Sequence, residues 1–272
     1  MNYQHIIYKK TGAIAKVWLN RPEKHNAFNP QIIEELLDCL NHIHNNESIR
    51  VMVLGSKGKT FSAGADLNWM KEAGQADAAD NYADSQRLAL LFSTLDKMRC
   101  PTIARVQGAA LGGGFGLAVV CDICVASDQA HFATSEVRLG LAPSTISPYV
   151  IRAIGARQAS RYFLTGELIN AKRANKLGIA HIVTSPEQLD TEIAALINHI
   201  YKGSEYAIRA SKELIAHVVD RPIDEELAAY TSKHIADLRQ TEQAREGFQA
   251  FLERRKAAWF REIKNFKEPK DV

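Results

Sequence analysis

The chain has 272 residues, of which 46% are hydrophobic and 24% charged, with a formal net charge of +3. At roughly 150 residues per domain this is one large domain, or one with a small appendage, long enough to bury a core without disulfide or metal staples. The mild positive balance is no nucleic-acid footprint, and the longest uncharged apolar stretch, Ala109 to Cys121, falls short of the ~20 residues of a membrane helix.

Four cysteines do not form a secreted disulfide framework, and Met1-Asn2-Tyr3-Gln4-His5 offers no basic region ahead of an apolar run. A cytoplasmic protein without a signal peptide is expected. Fourteen of the sixteen glycines lie at or before Gly178, which divides the chain into a glycine-rich body and a glycine-poor tail.

The elements read in order as alternating strands and helices. Ile6 to Lys9 and Ile14 to Leu19 flank Thr11-Gly12 as a hairpin. Asn29-Pro30 opens a helix, asparagine as N-cap and proline at the first helical position. Ile32, Ile33, Leu36, Leu37, Leu40 and Ile43 follow at helical spacing. Val51 to Gly55 is a buried strand, and residues 79 to 97 form a helix ended by Cys100-Pro101. Thr102 to Val106 and Ile123 to Ala126 are further strands, separated by a helix that starts in the glycine cluster after Gly108. Strands alternating with helices imply crossover units and parallel pairing. The tail from Ser204 to Lys267 reads as almost continuous helix, laced with charges of both signs and broken by one proline, Pro222.

Several familiar motifs fail. After Gly112-Gly113-Gly114 the third glycine of a dinucleotide fingerprint would fall on Leu117. A phosphate loop ending in Gly58-Lys59-Thr60 would need glycine where Val53 stands, and no Gly-x-Ser-x-Gly elbow occurs. Cys121 and Cys124 have redox spacing but sit between a buried helix and a buried strand. His42 and His44 face different sides of a helix, so no metal is expected.

Three segments carry chemistry. The first, Lys59 to Leu67, is a small-residue loop after a strand. It either exposes backbone N–H groups to a ligand or is an ordinary turn with Asp66 as helix cap. The second, Val106 to Leu117, puts Gly112, Gly113 and Gly114 at the positive end of an apolar helix, which suits an oxyanion or simply close packing. Two such N–H groups, one per loop, would polarise a thioester carbonyl. In the third, Phe132 to Pro143, Glu136 lies in a mostly small and apolar stretch. It is either an acid/base near neutrality or the surface partner of Arg138.

In this order and spacing the three segments resemble the enoyl-CoA hydratase/isomerase (crotonase) superfamily. Asn20-Arg21-Pro22 with Asn26-Ala27-Phe28 looks like its N-terminal signature, and Thr165-Gly166-Glu167 through Val183 like its downstream pattern. The resemblance runs from about residue 6 to 255. Phe61 to Met70, Ser135 to Pro143 and Ile146-Ser147-Pro148 look most like bacterial methylglutaconyl-CoA hydratases.

The resemblance implies an α/β crotonase (ClpP/crotonase-like) ββα superhelix: a catalytic core over 1–200 and a helical oligomerisation domain over 201–272 that builds a homotrimer or homohexamer. It implies an oxyanion hole from the N–H groups of Ala65 and Gly113, with Glu136 as catalytic acid/base. Ala63, Gly64, Asp66, Leu67 and Gly112 would line the coenzyme A thioester, and Lys24 would meet a phosphate. Arg138, or one of Ser135, Ser144 and Ser147, would meet a distal substrate carboxylate. No permanent cofactor is implied; coenzyme A arrives as part of the substrate.

One departure stands out. The family's first catalytic glutamate belongs two positions after the triple glycine, and that position is Gly116. Three readings follow: a hydratase in which Glu136 serves both roles, a Δ3,Δ2-enoyl-CoA isomerase with Glu136 as sole base, and a coenzyme A ester-binding protein without catalysis.

Overall fold

The structure is a computed structural model and describes residues 2–269. The expected hairpin is present: β1 (Ile6–Thr11) and β2 (Ile14–Leu19) pair antiparallel, with Thr11 opposite Ile14. Asn29 caps α1 (Pro30–Asn45), its side chain accepting from the Ile32 N–H at 2.9 Å. Then come β3 (Val51–Ser56), α2 (Leu67–Ala73), α3 (Ala78–Asp96), β4 (Thr102–Val106), β5 (Ala109–Leu111), α4 (Gly113–Val120), β6 (Ile123–Ser127) and β7 (His131–Ala133). The body continues through α5 (Ser147–Thr165), β8 (Ile169–Asn170), α6 (Ala171–Leu177) and β9 (Ile182–Thr184).

A six-stranded sheet runs β1-β2-β3-β4-β6-β9, parallel from β2 onward, and a smaller sheet runs β5-β7-β8. The parallel pairing follows from the crossover helices between strands. Alternation along β2 sends Ala15, Val17 and Leu19 into the main core with α1, α3 and α4. Lys16 and Trp18 lie on the other face. Phe266 covers them: its ring is 6.1 Å from that of Trp18, and Lys16 Nζ donates to the Lys267 carbonyl at 2.6 Å.

The chain divides into two compact units, a body up to Ile193 that includes the segment from Asn265, and a helical unit, Ala194–Lys264. Residues 265–269 group with the body. α7 (Leu189–Lys202), α8 (Glu205–Val218), α9 (Glu225–Arg239) and α10 (Glu242–Leu252) follow. Helix stops at Leu252, not near Lys267. Beyond it, nonlocal bonds define the path: Trp259 Nε1 donates to the Lys202 carbonyl, and Asn198 bonds Ile263 through both amide groups.

No helix among the described residues is long and apolar enough to cross a membrane. None of the four cysteines forms a disulfide; all are buried, and burial pushes the Cys124 thiol up to about 12.

Candidate active site

The site grows from the loop after β3. Asn26, completely buried and with φ of 53°, holds the root of this loop: its Nδ2 donates to the carbonyls of Lys57 and Thr60, both at 2.8 Å. Gln107 Nε2 holds it from the other side, donating to Ser56 Oγ and to the Gly58 carbonyl. Further along, the Ser62 N–H donates to the Ala109 carbonyl and the Leu111 N–H to the Ser62 carbonyl, which stitches the first loop onto β5.

The Phe28 N–H donates to the Gly64 carbonyl and the Asp66 N–H to the Phe28 carbonyl, both at 2.7 Å. These bonds bracket Ala65 in a parallel bridge. In that pattern the N–H of the bracketed residue points away from its partner strand. The Ala65 N–H has no acceptor among the described residues, and neither does that of Gly113, the first residue of α4.

The two loops touch. A Cβ on Gly64 would lie 3.8 Å from the Gly112 Cα and 3.1 Å from the Leu111 carbonyl oxygen. Gly112, with φ 49° and ψ −120°, turns the chain from β5 into α4, a conformation that favours glycine.

The third segment closes the site. After β7, the 3-10 turn Glu136–Leu139 places Glu136 Oε1 3.1 Å from where a Gly112 Cβ would stand. Glu136 Oε2 is buried with no hydrogen-bond partner. Burial raises the Glu136 pKa above the ordinary carboxylate value, only partly opposed by a hydrogen bond from its own backbone. Arg138 is exposed and forms no ion pair with it. The surface-pair reading of Glu136 is therefore not what the fold builds; the Arg138 Nε instead passes beside Gly166.

Other predicted residues fall on both sides of the ledger between ligand and fold. Ala63 is half-buried, its N–H given to the His25 carbonyl. Lys24 is exposed on the 3-10 turn Pro22–Lys24, next to that contact. Leu67 is 79% exposed at the start of α2. Asp66 caps α2: its Oδ1 accepts from the Asn68 N–H at 2.9 Å, and its Oδ2 pairs with Arg21 at 3.2 Å.

At Gly116 a Cβ would lie 2.4 Å from Ile146 Cγ2 and 2.9 Å from Phe92 Cε1, both buried. The position is closed by apolar packing. Sequence reasoning gave no role to Asn26, Phe28, Gln107 or Ile146. Asn26 and Phe28 stood within a quoted signature, but bonds between segments distant in sequence leave no periodic signal. No group of three or more potential metal ligands occurs among the described residues.

Two partnerless amides, with the Glu136 carboxylate beside the Gly112 turn, are the groups that a thioester-polarising acid/base enzyme needs. Residues 9–262 match the enoyl-CoA hydratase/isomerase family. A putative enoyl-CoA hydratase of Thermus thermophilus is 33% identical over 92% of this chain and 98% of its own. A trans-2-decenoyl-[acyl-carrier-protein] isomerase of Streptococcus mutans is 32% identical over 79% of this chain and 82% of its own. The crystal structure of an enoyl-CoA hydratase from Shewanella pealeana superimposes with a TM-score of 0.91 at 41% identity, covering 94% and 96% of the two chains.

The chain belongs to the enoyl-CoA hydratase/isomerase family, has the crotonase fold, and is an enzyme of the hydratase type.

Proposed function

We propose that the protein adds water across the double bond of a 2-enoyl-CoA carrying a distal carboxylate, a 3-methylglutaconyl-CoA-like substrate of leucine or acyclic terpene breakdown. The observation that carries the reading is the buried, partnerless Oε2 of Glu136, set in the loops that hold the partnerless N–H groups of Ala65 and Gly113.

The thioester oxygen accepts from both amides, each worth about 3 kcal/mol of barrier once charge develops there. Ionised Glu136 takes a proton from water as the new C–O bond forms at Cβ. The π electrons move toward the thioester and form an enolate. Protonated Glu136 then returns the proton to Cα, so the net change is one added water. Lys24 and the loop Ala63 to Leu67 receive the coenzyme A part, and Arg138, exposed two residues beyond Glu136, meets the distal carboxylate. Phe248, Phe251 and Leu252, exposed on or beside one another in α10, support assembly into a homotrimer or homohexamer.

A second reading, Δ3,Δ2-isomerisation, is favoured by the closed packing at Gly116, which leaves one carboxylate to move a proton between carbons. Purified protein is assayed in parallel on 3-methylglutaconyl-CoA, crotonyl-CoA and a 3-enoyl-CoA. Hydration of the first, lost in Glu136→Gln, is expected. Preference for crotonyl-CoA would remove the substrate assignment, and isomerisation without hydroxyacyl product would replace the hydratase by the isomerase.

A further inference from the structure

We infer that Phe28 is a positioning residue that sets the separation and direction of both oxyanion donors. The inference rests on the reading of Ala65 and Gly113 as those donors, and adds what holds them in place.

Phe28 touches each donor differently. Its backbone brackets Ala65 through the Gly64 carbonyl and the Asp66 N–H, which turns the Ala65 N–H away from residue 28. Its side chain lies against the residue that carries the other donor: a Cβ on Gly113 would stand 2.7 Å from Phe28 Cε2 and 3.0 Å from Cδ2. The Gly113 backbone therefore rests against the face or edge of the ring with no side chain between them.

The ring has little freedom to drift. Phe28 is 1% exposed and packs within the main core. Asn29, the next residue, caps α1, so the backbone at 28 is anchored on its C-terminal side. Asn26, two residues earlier, is anchored by its own bonds to Lys57 and Thr60. One rigid residue thus spans two loops that are about fifty residues apart in sequence. Preorganised donors act only when aimed at where the oxyanion forms, and small misplacements are costly.

The test combines kinetics with the infrared carbonyl stretch of a bound, 13C-labelled saturated acyl-CoA. In the parent enzyme the stretch falls on binding, because two N–H groups polarise the C=O. Phe28→Leu removes the ring edge under Gly113 while keeping an apolar core residue. It is expected to lower kcat by at least about tenfold with KM within about threefold, and to return much of the carbonyl shift toward the free value. Phe28→Ala extends the series where it folds. Leu36→Ala, a core truncation in α1, reports what destabilisation alone does and leaves the shift intact.

A parent enzyme with no carbonyl shift on binding would overturn the donor reading itself. A normal parental shift that Phe28→Leu leaves unchanged, or a loss residing in KM, would overturn the role of Phe28 alone.

Discussion

Replacing Gly116 by alanine tests whether the missing second carboxylate is a matter of packing. The new methyl would lie 2.4 Å from Ile146 Cγ2 and 2.9 Å from Phe92 Cε1. Carbon atoms prefer about 3.5–4.0 Å, so the Ile146 methyl has to retreat by roughly 1.1–1.6 Å. Both neighbours are buried, and neither has solvent to move into. Overpacking of this kind costs about 1–3 kcal/mol, while alanine in place of glycine within a helix returns about 1 kcal/mol. Gly116→Ala therefore destabilises by up to about 2 kcal/mol in the parent. In an Ile146→Ala background the 2.4 Å contact is gone while that with Phe92 Cε1 at 2.9 Å remains, so the same substitution is close to neutral. The assay is equilibrium urea unfolding of the four proteins at one fixed concentration, read as a double-mutant cycle with an expected coupling of about 1–2 kcal/mol. Additivity within about 0.5 kcal/mol would refute the reasoning, since Ile146 would then not be what closes position 116.

Glu136→Gln is expected to lower turnover about 10²–10⁴-fold, and kcat/KM of the parent should fall on the acid side at a pH above the ordinary carboxylate range. Because the folded-state pKa of Glu136 is raised by burial, stability is fully retained below the ordinary value of 4.5 and lost as pH rises through the raised one. Thermal unfolding should find Glu136→Gln more stable than the parent at neutral pH, with the gap closing below 4.5. Asp66→Ala removes a cap and should cost about 1 kcal/mol in chemical unfolding. Burial works to raise the Asp66 pKa, but the Asn68 N–H and Arg21 outweigh it, so that stabilisation fades as pH falls through its depressed value. Phe266→Ala should destabilise by about 3–5 kcal/mol, measured by urea unfolding, because its 4% exposed ring covers Trp18.

Local chemistry was legible where one short segment contained the whole cause. Asn29-Pro30 announces α1 because cap and first residue are adjacent, and Thr11-Gly12 announces the hairpin for the same reason. The three glycine and glutamate segments were legible as chemistry because their small residues have few other uses in sequence terms. β5 has no signature in the sequence: Ala109-Ala110-Leu111 has no period of its own and becomes a strand by pairing with β7. α5 went unread because Pro148 and Gly155 interrupt its pattern, and Gly155 has non-helical φ and ψ in the structure. Asp66 reads both as cap and as ligand, and its bond from the Asn68 N–H shows the cap.

The glycines of the body finally separate into two kinds by what lies opposite them. Gly112 takes a positive φ and turns the chain so that the next N–H, that of Gly113, is left without an acceptor. Gly113 and Gly116 take ordinary helical angles, and what excludes a side chain there is a neighbour: Phe28 at one, Ile146 and Phe92 at the other. The first contact brings a backbone donor close to the ring that locates it, and the second fills with methyl and ring carbons the place of a possible second carboxylate. The Glu136 Oε2 is buried without a hydrogen-bond partner. A lone carboxylate in that setting holds its proton more tightly than a solvated one and is a stronger base once ionised. Those are the two properties required of a single group that must first accept a proton and then return it.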